Sequence, residues 1–251
     1  IVISNFRQND LDNGGQGAPL TPIFHKLLSK LISTKTEVKY PLNIINIGGI
    51  TNITQIIFNS KVDDLDLFAN DIGPGNCLID KWIRKNSKKN FDTNGEIANS
   101  GIVNDLIYNQ AVENFSNISY DKSLDINDFD ISFVKGLSLE DGCATVTKFT
   151  AHLIANGIRY INNRNKNLPV FNLICGGGRK NPTLIENIND SLNYMDIDLI
   201  DIDNYNFDGD FIESQAFGYL AIRAFLNLPI SFPSTTGCQT PTVGGLINKN
   251  F

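Results

Sequence analysis

One stretch limits what this chain can fold into more than any other: Asn70-Asp71-Ile72-Gly73-Pro74-Gly75-Asn76-Cys77-Leu78-Ile79-Asp80. It follows a largely apolar run, Leu65 to Ala69, that reads as the end of a strand. It precedes Leu78, Ile79, Trp82 and Ile83, whose spacing predicts a helix. Two glycines around a proline predict a tight turn in which backbone N–H groups can approach a ligand closely. Asp71 stands just before that turn, at the C-terminal end of the strand, where open α/β sheets place their chemistry. Two roles suit it there. A carboxylate can take a proton from water or from a sugar hydroxyl, or it can cap the following helix.

The rest of the chain supplies compatible elements. Ile1 to Ser4 has a short β pattern, and Asn5 to Gly17 reads as a polar, glycine-rich loop. Pro22 to Ile32 has helical spacing. Leu42 to Ile47 and Asn52 to Phe58 flank Gly48-Gly49-Ile50-Thr51, a hairpin signal. Such a turn serves either as an ordinary β-turn or as a place where glycines leave room for anionic oxygens. Gly95 to Phe115 reads as helical with a break near Gly101. Ile118 to Asp130 reads as a mobile acidic loop. Ser138 to Ile161 is the longest predicted helix, with Ser138 as N-cap.

Val170 to Cys175 predicts a buried strand that runs into Gly176-Gly177-Gly178-Arg179-Lys180-Asn181-Pro182, and a helix follows from Thr183 to Leu192. The glycines do not make a dinucleotide fingerprint, because Asn181 fills the sixth position. They form either a tight strand-to-helix joint or a bare surface for a purine and ribose near a helix N-terminus. Met195 to Ile202 alternates as a strand. Ile212 to Leu226 reads as an amphipathic helix with Glu213 in its first turn. After Pro229 the chain reads as a strap and not a core element. The alternation of strand and helix argues for α/β layering.

Composition excludes several classes. A net charge of −6, with no basic patch beyond Arg84 to Lys89, argues against nucleic acid. Cys77, Cys143, Cys175 and Cys238 form no C-x-x-C pair, and His25 and His152 are the only histidines, so no protein-held metal site is expected. Buried free thiols in a reducing compartment are the expectation for the four cysteines. No run of 18 apolar residues and no basic-then-apolar leader is present, which gives a cytoplasmic reading without a membrane partner.

Taken together, these segments resemble the 1,6-anhydro-N-acetylmuramic acid kinases, sugar kinases of the actin-like ATPase superfamily. The resemblance rests on Phe6-Arg7 with Asp10, Gly14-Gly15-Gln16-Gly17-Ala18-Pro19-Leu20, His25, and Asn46-Ile47-Gly48-Gly49-Ile50 with Asn52. It continues through Asp71 with Gly73-Pro74-Gly75-Asn76, Lys122-Ser123, Leu139-Glu140-Asp141-Gly142, Gly176-Gly177-Gly178 with Asn181, Gly209-Asp210 with Glu213, and Thr236-Gly237. It implies an α/β fold, an actin-like (ribonuclease H-like) ATPase domain forming the second half of a two-domain sugar kinase. It also implies ATP and Mg²⁺, and a reaction that opens the 1,6-anhydro ring with water and phosphorylates O6.

By this resemblance Asp71 is the general base. Arg7, Gly15, Gln16, Gly17, Lys122 and Ser123 face the sugar, with Arg7 the candidate for its lactyl carboxylate. Gly48, Gly49, Asn52, Gly73, Gly75, Asn76, Gly176, Gly177, Gly178 and Asn181 face the nucleotide. Residues 1–20 are expected to be a hand-over segment from an N-terminal actin-like domain, 21–228 the C-terminal actin-like domain, and 229–251 a C-terminal strap. Asp80 is expected to orient its neighbours and Glu213 to serve as a helix N-terminal acid.

The departures are equally specific. Nothing corresponds to the family's N-terminal Gly-Thr-Ser-x-Asp-Gly phosphate loop. Asn5 replaces a usual Asp, Ile72 replaces a usual Thr, and Lys122-Ser123-Leu124-Asp125-Ile126-Asn127 lacks the Arg of the family's substrate loop. The expectation is a chain inactive alone that works with that domain or with a separate chain supplying it, and that pairs as a homodimer. The alternative is a non-catalytic remnant that binds sugar or nucleotide.

Overall fold

A five-stranded sheet with helices on both faces carries the architecture in the computed structural model, which describes residues 1–115, 120, 122–164, 170–193 and 197–248. Its strands are β2 (Leu42–Ile47), β3 (Ile50–Asn59), β4 (Asp64–Pro74), β5 (Phe171–Cys175) and β6 (Leu199–Asp201). They lie in the order β4-β3-β2-β5-β6. The first three form an antiparallel meander, and β5 and β6 add in parallel to β2. Three antiparallel strands followed by two parallel ones is the ribonuclease H-like arrangement. Strands β2, β4 and β5 all run the same way, so their C-terminal ends share one edge.

The isoleucine-rich strands bury both faces, as a sheet covered on two sides requires. On one face Ile45, Ile47, Ile53 and Ile174 pack against α3 (Cys77–Asn86), α6 (Leu139–Asn163) and α7 (Pro182–Leu192). On the other, Leu42, Ile44, Ile56 and Leu173 pack against α2 (Pro22–Ser33) and α8 (Ile212–Phe225). Helix α6 lies close because Gly157 meets Ile72: a Cβ there would stand 2.4 Å from the isoleucine's own Cβ. Between α3 and α6 the chain forms two short helices, α4 (Glu96–Ser100) and α5 (Asp105–Asn114), separated near Gly101 as expected. The Ser138 hydroxyl accepts from the Asp141 N–H, the predicted N-cap of α6.

Four expectations are corrected. The strand through Leu65–Ala69 does not stop before the glycines but continues to Pro74, because Thr51 and Ile50 pair with Gly73 and Pro74 across a bulge at Thr51/Asn52. The polar segment after Asn5 contains a helix, α1 (Gln8–Asp12), closed by backbone bonds such as Leu11 N–H to Arg7 C=O. Cys77 is only half-buried, unlike the other three thiols.

The segment after Pro229 enters the core. Ile230 and Cys238 are buried, and a short helix, α9 (Pro233–Thr236), leads to β7 (Leu246–Asn248). Strand β7 pairs antiparallel with β1 (Val2–Ser4). Asn13 donates to Thr240 and Thr242, and Gln239 N–H donates to the Asn13 carbonyl, so the first and last segments form one layer. Met195 and Asp196 of the predicted strand, and Ile118, Ser119 and Asp121 of the acidic loop, lie outside the described residues. No helix among the described residues is long and apolar enough to cross a membrane.

Candidate active site

The register across the sheet puts Asp71 opposite Asn52, Asn52 opposite Asn46, and Asn46 opposite Cys175. Cross-strand partners project to the same face, so this row presents a carboxyl and two amides where the apolar core ends. Asp71 is buried, and its Oδ2 accepts the Leu124 N–H at 2.8 Å. Its Oδ1 accepts no hydrogen bond from any described residue. Burial raises its pKa above the ordinary carboxylate value, and the Leu124 bond and the Arg7 charge oppose part of that rise. The result is a stronger base than an exposed aspartate. Helix capping does not engage it: the N-cap of α3 is Asn76, and Asp71 bonds to a distant loop.

Asp71 sits at the meeting of two cavities. The first, of about 510 Å³, is walled by Gln16, Pro19, Lys122, Ser123 and the α9 segment. The second, of about 900 Å³, is lined by Arg7, Asn46, Gly48, Gly49, Asn52 and Glu213, among others. Asn52 Oδ1, in that second cleft, is shielded from solvent and accepts no hydrogen bond from any described residue. Glu213, expected only as a helix-start acid, therefore belongs to the site. A third cavity, of about 850 Å³, is framed by Asn76, Asp80, Phe91, Gly177, Lys180 and Asn181. Asp80 carries a pKa raised by burial and opposed by Arg84, its ion-pair partner at 3.7 Å.

The glycines divide by environment. A Cβ at Gly49 would meet nothing within 4 Å, and at Gly177 only Asn76 Nδ2 at 3.8 Å, so both leave backbone open to a ligand. Gly75 instead presses on the Gly48 carbonyl, Gly178 on Ile47 and Gly176 on Asn46, whereas a Cβ at Gly73 would meet α6 at ordinary contact distance, 3.5 Å. The N–H groups of Gly75 and Asn76, residues expected to face the nucleotide, donate with that of Cys77 to the Gly48 and Gly49 carbonyls at 2.7–3.2 Å. They clamp the hairpin turn onto α3. Asn181 caps α7 by accepting from Leu184 N–H.

Two residues without an assigned role organise the site. Asp10 is buried. Its Oδ2 accepts the Gly17 N–H at 2.7 Å and its Oδ1 accepts the Thr236 hydroxyl at 2.6 Å. It thereby joins the Gly14–Leu20 loop to the strap, and a Cβ at Gly15 would strike its carboxyl. Arg179, with its side chain almost wholly buried, pairs with Asp203 at 2.9 Å and Asp210 at 2.5 Å, and approaches Asp201 at 3.3 Å. It fastens the triple-glycine joint to the chain entering α8, which carries Glu213. Lys180 also pairs with Asp210. A buried Asp and a buried Arg are unusual, but a five-residue helix and a single turn are too short for periodicity to report their burial.

Across from Asp10, Gln16 and Ser123 are brought together: Ser123 N–H donates to Gln16 Oε1 at 2.6 Å and the Ser123 hydroxyl to the Ala18 carbonyl. Asn70 Nδ2 donates to the Tyr120 carbonyl, so the loop is tied down by Asn70 as well as by Asp71.

Sheet order and strand directions define an α/β domain with a ribonuclease H-like sheet, and the buried carboxyl and glycine-opened clefts lie at its shared C-terminal edge. A family model described as "Anhydro-N-acetylmuramic acid kinase" matches residues 1–250. The chain belongs to the anhydro-N-acetylmuramic acid kinase family. A relative of that name from Pelagibacter ubique (strain HTCC1062) is 49% identical over 252 residues, covering 100% of this chain and 65% of its own length. Another from Zymomonas mobilis is 40% identical over 248 residues, covering 98% and 63%. The chain thus spans about two thirds of the length of these curated relatives. A solved structure, the activator of 2-hydroxyisocaproyl-CoA dehydratase from Clostridium difficile with bound ADPNP, superposes with a TM-score of 0.39 at 13% identity, covering 71% of this chain and 59% of that one.

Proposed function

We propose that this chain supplies the general base and the sugar-facing walls of an ATP-dependent kinase that acts on 1,6-anhydro-N-acetylmuramic acid. In that reaction Asp71 takes a proton from water as the water oxygen bonds to the anomeric carbon. The C1–O bond of the anhydro bridge breaks, the bridging oxygen becomes O6, and O6 receives the γ-phosphoryl group of ATP. The products are N-acetylmuramic acid 6-phosphate and ADP, which suits a role in recycling cell-wall amino sugars in the cytoplasm. The observation that carries this reading is Asp71 itself: buried, raised in pKa, held on one oxygen by Leu124 N–H, and lining two cavities at once. A base with a pKa moved toward working pH is the more effective one.

ATP and Mg²⁺ fit the residues present. Gly49 and Gly177 keep open backbone where phosphates and ribose would lie. Glu213 and Asn52 Oδ1 give hard oxygen donors in the second cleft. Mg²⁺ takes one or two protein carboxylates and completes its shell with water and phosphate oxygens. Bound there, Mg²⁺ would neutralise phosphate charge.

The test is product analysis in ¹⁸O-water. This chain, joined to or mixed with the part of the relatives' length that it does not span, is supplied with ATP and the anhydro sugar. Rapid sampling should find one ¹⁸O on C1, none in the phosphate, and ADP in equal amount. Sugar or nucleotide binding without ADP formation would favour the second reading, a binding remnant, for which the substrate loop without its Arg is the specific observation. Sedimentation of the chain tests the homodimer that the family resemblance implies.

A further inference from the structure

Arg179 is buried, yet it lines none of the three cavities. Its guanidinium instead joins the two stretches that frame the third cavity from behind. Gly177, Lys180 and Asn181 of that cavity come from the turn after β5, and Asp210 from the stretch that leads into α8. Toward the turn, Nη1 donates to the Gly176 carbonyl at 3.2 Å. Toward the second stretch, Nη1 also donates to Asp210, and Nη2 donates to both oxygens of Asp203 at 2.9 and 3.2 Å. Asp203 in turn accepts the Gly209 N–H at 2.7 Å, and the Gly209 carbonyl accepts the Gly176 N–H at 3.2 Å. Holding two carboxyls and a carbonyl at once takes a planar fork, which arginine has and lysine lacks.

The fit around the fork is close. A Cβ at Gly209 would stand 2.6 Å from Arg179 Nε and 2.7 Å from its Cζ. Gly209 is not among the glycines with positive φ, so what it supplies there is space. On the sheet side, Gly176 and Gly178 already press on Asn46 and Ile47. The turn is therefore gripped from two directions, and Gly177 between them keeps its open backbone. We infer that Arg179 is a positioning residue for nucleotide binding: it locks the Gly176–Lys180 turn against the Asp203–Asp210 stretch, and Gly209 is glycine in order to seat it. This rests on the proposed kinase reading and adds to it two residues that touch no ligand. The first cavity takes no lining residue from either stretch, so its sugar site should not depend on Arg179.

Calorimetric titration of the full chain with ATP and Mg²⁺, and separately with 1,6-anhydro-N-acetylmuramic acid, tests this. Two variants keep the positive charge and disturb only the fit. Arg179→Lys replaces the fork with one ammonium group, and Gly209→Ala sets a methyl against Nε. Each should weaken ATP by roughly 10- to 100-fold, the scale of a contact displaced by about 1 Å. Sugar affinity should stay within about threefold of wild type. Asp203→Asn, at a half-exposed position that tolerates the change, loosens the fork from its far side and should show the same split. Removing that negative charge would by itself favour a polyanion, so weaker ATP binding there reports lost position. ATP affinity within about threefold of wild type in any variant that melts above the assay temperature overturns the inference and leaves the kinase reading standing. Equal losses for ATP and sugar overturn it too, because they mark a general loosening of the fold. Wild type that binds no ATP, or no sugar, overturns the kinase reading together with the inference.

Discussion

The Asp10–Thr236 contact should hold the site together, and a double-mutant cycle can weigh it. Both Asp10 oxygens are used, at 2.7 Å by Gly17 N–H and 2.6 Å by the Thr236 hydroxyl, and both ends are buried. A hydrogen bond to a carboxylate contributes about 1.5–3 kcal/mol, and an unpaired buried donor costs about 1–3 kcal/mol. Thr236→Val deletes the hydroxyl and should cost about 2 kcal/mol. Asp10→Ala also strands the Gly17 N–H and should cost about 3–5 kcal/mol. Urea unfolding of wild type, both single variants and the double variant gives the coupling, expected at about 1.5–3 kcal/mol. For a chain of this size a loss of 2 kcal/mol lowers the melting temperature by about 4–8 °C. Because the same contact fixes the Gly14–Leu20 loop, Thr236→Val should weaken sugar binding as well. Coupling below about 0.5 kcal/mol would refute the idea that this pair fastens loop to strap.

In a polypeptide shown to be active, Asp71→Asn should cut turnover by roughly 10²–10⁴-fold while leaving the unfolding midpoint nearly unchanged; a loss under about tenfold would remove Asp71 as the base. Gly178→Ala should destabilise by about 1–3 kcal/mol, because its Cβ would lie 2.2 Å from Ile47 Cγ2, whereas Gly49→Ala, with nothing within 4 Å, should fold normally and lose ATP affinity; equal melting of the two would contradict the division of glycines. His25 is fully buried, its pKa lowered by burial from 6.5 to about 3, with Nδ1 2.7 Å from Thr54 Oγ1. The unfolded chain binds the proton near 6.5 and the folded one only near 3, so stability is complete above pH 6.5 and falls as pH drops. The slope should approach about 1.4 kcal/mol per pH unit. His152, also lowered by burial, adds to it. Urea titrations at pH 7 and pH 5 should show the loss, and an unchanged slope in His25→Gln would exclude His25 as its source.

Periodicity and turn chemistry exposed the elements that local sequence controls. The Leu42–Phe58 hairpin, the strand running into Gly176 and the Ser138 cap are all set by residues within a few positions of one another. What could not be read depends on partners far along the chain. Asp10 meets Thr236, Leu124 meets Asp71, and Glu213 enters a cleft whose other wall comes from the first 50 residues. Glycine was the second difficulty. A glycine kept for a ligand and one kept because a neighbour presses on it look alike in sequence. Only the surroundings separate Gly49 and Gly177 from Gly75 and Gly178. The strap was misjudged for a related reason: Pro, Thr and Gly suggest surface chain, yet Ile230 and Cys238 carry it into the core.

The Asp10–Thr236 bond also sets a schedule. The two residues are 226 positions apart, so at about 5–20 residues per second a ribosome delivers the hydroxyl some 10–45 seconds after the carboxyl it must satisfy. Until then one Asp10 oxygen lacks the hydroxyl that satisfies it and the future sugar cavity lacks a wall. A nascent chain can build its sheet before then, but the cavity that would recognise substrate is assembled only once Thr236 has been delivered.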